Sequence, residues 1–209
     1  MYQFDKRVII VDDFYNEPLQ IREIALDTEY EQDGNIKNYP GKNSKMPFWD
    51  NNIQAILSSI TGDAAYPTPT SSCGHFRWTK ATDTSKQIIH FDPKPAQMWA
   101  GVVYLSLPQH YEGIDSGTTM YRHRKSGMEV APVDHNDAAK LGVRTQEDMV
   151  KFFESDGIDV TKWDPVLAVP IKFNRLVLFR PWMWHGITGH FGTDISNSRL
   201  TQLFFLNKY

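Results

Sequence analysis

The feature that most constrains the fold is a succession of short runs rich in β-branched and aromatic residues: His75 to Thr79, Gln87 to Phe91, Trp99 to Leu107, Thr118 to Arg124, Ile171 to Phe179 and Arg199 to Leu206. Such runs, bounded by turn residues, read as strands, and several in series without alternating helices read as a β-sandwich or small barrel. Ahead of them, Val8-Ile9-Ile10-Val11 is a strand closed by Asp12-Asp13, and Glu17-Pro18 opens helical spacing through Leu19, Ile24 and Leu26. Asn38 to Asn43 is turn chemistry, and Ile53, Ile56, Leu57 and Ile60 form a second helical stripe. Tyr66-Pro67-Thr68-Pro69 then breaks the pattern, because proline excludes continued helix. The polar stretch from Ser126 to Pro170, helical over Gln146 to Phe153 and closed by Trp163 and Pro165, reads as an insertion between strands. The expected architecture is mainly β, of the α+β kind: an N-terminal strand and supporting helices over 1–70, then a β core over 75–209 with the 126–170 insertion.

A chain of 209 residues buries one sizeable core, whereas two halves would each be marginal, so we expect a single domain over 1–209. A hydrophobic fraction of 41% with 12 prolines and 13 glycines implies many turns rather than disorder. No internal repeat is visible, which excludes solenoids. No apolar run approaches the roughly 20 residues of a spanning helix, and the opening turns acidic before a signal-like stretch develops. Cys73 is the single cysteine, so neither an intrachain disulfide nor a cysteine zinc cluster is expected. A soluble, cytoplasmic protein fits. A net charge of −3 argues against nucleic acid and anionic membrane as partners. The one basic cluster, Tyr121-Arg122-His123-Arg124-Lys125, reads either as a solvated strand end or as a clamp for an anionic group.

In Ile88-Ile89-His90-Phe91-Asp92, period-two geometry points the His90 imidazole and the Asp92 carboxylate to one strand face. His185 follows the apolar strand Leu176 to Phe179 and would complete a two-histidine, one-carboxylate facial triad, which leaves three positions open on a ferrous ion. His190 is the rival third ligand; His185 is preferred because Gly189-His190-Phe191-Gly192 reads as a turn. His75, His110, His123 and His135 match no such pattern and read as structural or surface residues. Arg199 opens the last strand, and a guanidinium buried in a barrel calls for an anion that it grips bidentately. Each piece alone is common in proteins; the combination, in this order on strands, is not.

The succession His90-Phe91-Asp92, Trp99 to Ser106, Gly117-Thr118-Thr119, Asn174 to Phe179, His185 and Arg199-Leu200-Thr201-Gln202 resembles the iron(II)- and 2-oxoglutarate-dependent oxygenases. Within them it is similar to the prolyl-hydroxylase-like branch and to an uncharacterised bacterial and phage group, DUF6445-like, over nearly the whole chain. The resemblance implies a double-stranded β-helix, a jelly-roll or cupin-like barrel. It assigns His90, Asp92 and His185 to Fe(II) and Arg199 to the distal carboxylate of 2-oxoglutarate. Tyr104 matches a tyrosine that hydrogen-bonds the same carboxylate, and reads equally as a core aromatic; Thr201 shares Arg199's face and would assist. The activity implied is a dioxygenase consuming O2 and releasing succinate and CO2, with hydroxylation favoured over halogenation because Asp92 occupies the position a halide would need.

For the substrate, a small molecule, amino acid or peptide, the sequence points to Arg122 and Arg124 after the Gly117-Thr118-Thr119 turn, with Trp182 and Trp184 walling the mouth; as scaffold residues they read equally well. The 126–170 insertion makes the segment between the two histidines longer than in compact members of the resembling family; insertions at that place can cover the site, and its role is left open. Two rival readings remain: a cupin-like isomerase or sugar-binding jelly roll, which needs no Arg199, and a structural protein with a degenerate site, against which the intact His90, Asp92, His185 and Arg199 speak.

Overall fold

The structure, a computed structural model, describes residues 7–32, 41–68, 72–83, 88–92 and 98–207. Strand β1 (Val8–Val11) leads into helix α1 (Pro18–Asp27), which is entered at a proline whose missing N–H costs nothing in a first turn. Strands β2 (Tyr30–Gln32) and β3 (Lys42–Ser44) precede helix α2 (Asn51–Thr61). The Asp50 carboxylate caps α2 by accepting from the Ile53 N–H at 2.7 Å, and Gly62 ends it at a φ of 76°. Next come β4 (Tyr66–Pro67), β5 (Phe76–Thr79), β6 (Trp99–Tyr104) and β7 (Gly117–His123). Helices α3 (His135–Lys140) and α4 (Gln146–Ser155) follow, the latter opened by a Thr145–Asp148 capping box. The chain closes with β8 (Trp163–Pro170), β9 (Leu176–Phe179), β10 (His185–Thr188) and β11 (Arg199–Asn207).

The strands form two antiparallel sheets. The larger runs β1-β9-β6-β11-β5-β3-β2, with β4 also on β11, and the smaller runs β10-β7-β8. His90 adds a further antiparallel bridge to His185 at the free side of β10. Among the described residues three apolar clusters define the layers. In the first, Ala25, Ile53 and Leu57 of the two N-terminal helices pack on Val103, Leu176, Leu178, Leu200 and Phe204 of the large sheet. The buried Arg22 fastens α1 there by donating to the Leu105 carbonyl at 2.9 Å. In the second, Tyr104, Val177 and Phe179 on the opposite face of that sheet meet Met120 and Val169 of the small one. The third lies behind the small sheet, where Val143 and Phe152 pack on Tyr121, Trp163 and Trp184.

Four expectations need correction. The run from Gln87 to Phe91 is not a strand, since among its described residues only His90 pairs, in an isolated bridge to His185. The run from Ile171 to Phe179 is strand only from Leu176, because the Arg175 N–H turns back to the Lys172 carbonyl and Asn174 takes a φ of 63°. Gly117-Thr118-Thr119 is the start of β7 and not a turn. The insertion ends earlier than Pro170, since Trp163–Pro170 is a strand of the small sheet. It escaped notice because β8 lies at the edge of its sheet among the described residues, exposes Val166 and Leu167, and carries Pro165 and Pro170, which edges tolerate. Part of the anticipated Asn38 to Asn43 turn, and Gln87 of the anticipated second run, lie outside the described residues. Among the described residues no helix is long and apolar enough to cross a membrane.

Candidate metal centre

Alternation along the chain and pairing across it bring the three expected ligands together. His90 and Asp92 share a face by period two, and residues directly opposite in an antiparallel pair also share a face. His90 pairs with His185, and His185 pairs with Met120, whose side chain lies in the cluster between the sheets. Both imidazoles therefore point inward, and the His185 ring sits 4.4 Å from that of Phe179 on the large sheet. One donor atom from each of His90, Asp92 and His185 lies within 4.8 Å of the others. The Asp92 carboxylate stands 3.9 Å from Nε2 of each histidine, too far for hydrogen bonds and suited to an ion between them.

The surroundings prepare these side chains for a cation. His185 Nδ1 lies 2.8 Å from the Met183 carbonyl, which fixes Nδ1 as the donor and leaves Nε2 as the free lone pair. Burial, with His185 beside it, holds His90 well below the usual histidine range, so its imidazole is neutral. Side-chain exposure of only 14%, 12% and 8% for His90, Asp92 and His185 leaves little water to compete. Two imidazoles and one carboxylate on one face suit a divalent first-row metal with positions left open.

Arg199 begins β11 on the inner face of the large sheet, opposite Thr79 of β5. It is 2% exposed, and its Nε has no hydrogen-bond partner among the described residues. Burial pulls the guanidinium below its usual range, and no carboxylate among the described residues pairs with it. A buried cation with an unused donor is costly unless an anion joins it. The Tyr104 ring lies 5.4 Å from the Arg199 guanidinium carbon, and the Tyr104 hydroxyl is 2.6 Å from Thr118 Oγ1 on the small sheet, so this contact spans the two sheets. Thr201 is paired with Tyr104 and buried, but its hydroxyl donates to the Arg77 carbonyl at 3.3 Å.

The remaining residues distribute differently from expectation. His190 stands apart from the three ligands: its Nδ1 lies 3.0 Å from Thr79 Oγ1, on the Arg199 side, and burial pushes its pKa down to about 4. Arg122 follows Met120 by two and so shares its face of β7, at the solvent end, half exposed and 3.5 Å from Asp164. Arg124, beyond the strand end, holds the same carboxylate at 2.8 Å. Trp184 does not wall a mouth. Because His185 points in, its neighbour must point out, and Trp184 is fully buried among Phe91, Phe152, Phe153 and Trp163. Nor is the insertion a cover, since its aromatic residues lie behind the small sheet. The Met183 carbonyl went unnoticed in the sequence and was findable only as the carbonyl two residues before His185, while Thr118 was noted only as part of a strand run and of the Gly117-Thr118-Thr119 motif, with no sign that it meets Tyr104.

Compared with known proteins, the chain matches over residues 2–206 the family described as "Family of unknown function (DUF6445)". No curated protein matches it. Among solved structures it is similar to the non-heme alpha ketoglutarate dependent carbocyclase SnoK from nogalamycin biosynthesis, with a TM-score of 0.51 and 12% identity over 97% of this chain and 80% of that one. It is also similar to the epimerase SnoN from the same biosynthesis, with a TM-score of 0.48 and 10% identity over 96% and 77% of the two chains. EctD from S. alaskensis with bound Fe follows, at 0.45 and 13% over 98% and 74%. At 12% identity the likeness to the carbocyclase is one of fold.

Proposed function

Since the chain belongs to DUF6445, a family of unknown function, whatever it does must be written in its own residues, and we propose that it is an iron(II)- and 2-oxoglutarate-dependent dioxygenase. The observation that carries the reading is the pairing of two features on facing sheets: a His90, Asp92, His185 donor set and, opposite, the buried Arg199 with an unused donor. The carbocyclase that shares the fold is itself described as non-heme and alpha ketoglutarate dependent. We read the two facing sheets as a double-stranded β-helix forming a single domain, in a protein of the reducing cytoplasm whose lone Cys73 is buried.

His90 Nε2, an Asp92 oxygen and His185 Nε2 would hold the iron. The Arg199 guanidinium, aided by the Tyr104 hydroxyl, would hold the distal carboxylate of 2-oxoglutarate through charge-assisted hydrogen bonds. When bound, iron with 2-oxoglutarate and O2 supplies the oxidising power that removes a hydrogen from the substrate, with release of succinate and CO2. The chain's own contribution is to keep both imidazoles aimed, to exclude water with Phe179 and Met120, and to anchor the co-substrate at a fixed depth. An iron held by Asp92 would keep no position for a halide, which favours hydroxylation. The substrate is a small molecule, amino acid or peptide, for which Arg122 at the rim offers an anion-binding group.

The test is an anaerobic titration of 2-oxoglutarate into the ferrous protein, following the charge-transfer band of the chelate, with succinate release then screened over candidate substrates. A band that grows to saturation supports the reading. Metal binding with no band at any 2-oxoglutarate concentration returns the cupin-like isomerase or ligand-binding jelly roll to first place.

A further inference from the structure

The 126–162 insertion touches the chain immediately before each metal-binding histidine. At its start, Glu129 and Ala131 pair with the segment that ends in His185: Trp184 N–H donates to the Glu129 carbonyl at 3.1 Å, and Ala131 N–H to the Trp182 carbonyl at 2.7 Å. At its end, the Gly157 carbonyl accepts from the Ile89 N–H at 2.8 Å, one residue before His90. The side chains that alternate with the ligands face the same insertion. Phe91 lies 5.6 Å from Phe153 and 4.9 Å from Trp184, which in turn lies 5.7 Å from Phe152. Ile89 is wholly buried in this cluster.

The corner after α4 is held as firmly. Asp156, which follows that helix, accepts from Lys162 at 2.7 Å and meets Nε2 of the buried His123 on β7 at 3.0 Å. The Trp163 indole donates to the Asp156 carbonyl at 2.7 Å. Gly157 then passes so close that a Cβ on it would stand 2.7 Å from the Phe153 oxygen and 3.0 Å from the Ile89 oxygen. On the other side of the same segment, a Cβ on Gly186 would stand 2.3 Å from the Ile88 oxygen. The His90 segment is thus clasped between two close backbone approaches.

From this juxtaposition we infer that the insertion is a rear brace that sets the spacing of His90 and His185, with Phe152 and Gly157 as positioning residues. The inference rests on the metal-site reading above. Groups that orient ligands from behind typically govern affinity without touching the metal, and their loss costs about ten- to a hundredfold in binding. The aromatic cluster fixes where the outward side chains sit, and strand alternation passes that position to the inward ligands.

The experiment uses the full chain and Co(II) alone, without oxygen, reading affinity and the visible d–d bands, alongside thermal melts by circular dichroism. Phe152→Ala and Gly157→Ala should weaken Co(II) binding by about ten- to a hundredfold and shift the bands in protein that is folded at the assay temperature. Phe152→Leu, which keeps most of the buried apolar volume, should lose only several-fold and decides the matter if the other two fail to fold. Lys140→Ala, exposed on the same insertion, should match the wild type. A merely structural role would lower melting temperatures and leave affinity and bands unchanged in every folded variant, and that result overturns the brace alone. Wild-type protein that binds no Co(II) overturns the metal-site reading and the brace with it.

Discussion

His90 and His185 exchange both backbone hydrogen bonds, His90 N–H to His185 carbonyl at 2.9 Å and His185 N–H to His90 carbonyl at 2.8 Å, and their rings stand 4.6 Å apart. A hydrogen-bonded antiparallel pair places its two side chains on one face as nearest neighbours. The two imidazoles are therefore set beside each other by the backbone itself, before any metal arrives.

His90→Ala, Asp92→Ala and His185→Ala should each abolish iron binding with little loss of fold, because the backbone bridge that pairs the strands does not need the side chains. His190→Ala should leave iron affinity near wild type, since its ring bonds Thr79 instead. Iron content after anaerobic loading, read beside circular dichroism, checks both. Iron lost in His190→Ala and kept in His185→Ala would reverse the assignment.

Arg199→Ala should raise the dissociation constant for 2-oxoglutarate by about ten- to a hundredfold, the equivalent of losing a charged hydrogen bond of about 1.5–3 kcal/mol. Arg199→Lys should recover part of that, as a point charge without the fork. Iron affinity should hardly change. The charge-transfer titration reads the result, and wild-type affinity in Arg199→Ala would exclude it as the carboxylate anchor.

Tyr104→Phe removes the hydroxyl that meets Thr118 and leaves that buried oxygen short of a partner. A stability loss of about 1–3 kcal/mol is expected from this alone. Its effect on 2-oxoglutarate affinity should be smaller than that of Arg199→Ala. Denaturant melts and the same titration separate the two roles: an unchanged dissociation constant would make Tyr104 a link between sheets and no more.

Arg122→Ala and Arg124→Ala should differ although both residues share Asp164. Arg124 is an exposed ion-pair partner, and its loss should cost under about 1 kcal/mol with no kinetic effect. Arg122 lies on the ligand-facing side of β7, so its loss should raise the KM of an anionic substrate while the 2-oxoglutarate band stays as in wild type. Steady-state kinetics with whichever substrate releases succinate tells them apart; equal KM values in both variants would remove Arg122 from the site.

Much of this was legible along the chain. The shared face of His90 and Asp92 follows from their spacing, α2 follows from its apolar stripe, and β11 follows from a long run that opens on Arg199. These are local properties, decided by backbone geometry within a few residues. For α1 only the helix itself was legible, since Leu19 and Ile24 of its expected stripe are exposed and Arg22 and Ala25 are buried instead. β8 was not legible because an edge strand with two prolines and exposed valine and leucine lacks the pattern that burial imposes. The outward turn of Trp184 was implied once His185 was taken as inward, yet its partners Phe152 and Trp163 lie in a stretch read as a polar insertion, with nothing in its sequence to say which sheet it packs against. Which strand stands beside which, and in what register, was decided by tertiary structure alone. Period two says that a side chain points to one of two faces; only the pairing of His90 with His185, and the packing of the insertion behind them, makes that face the one that looks across at Arg199.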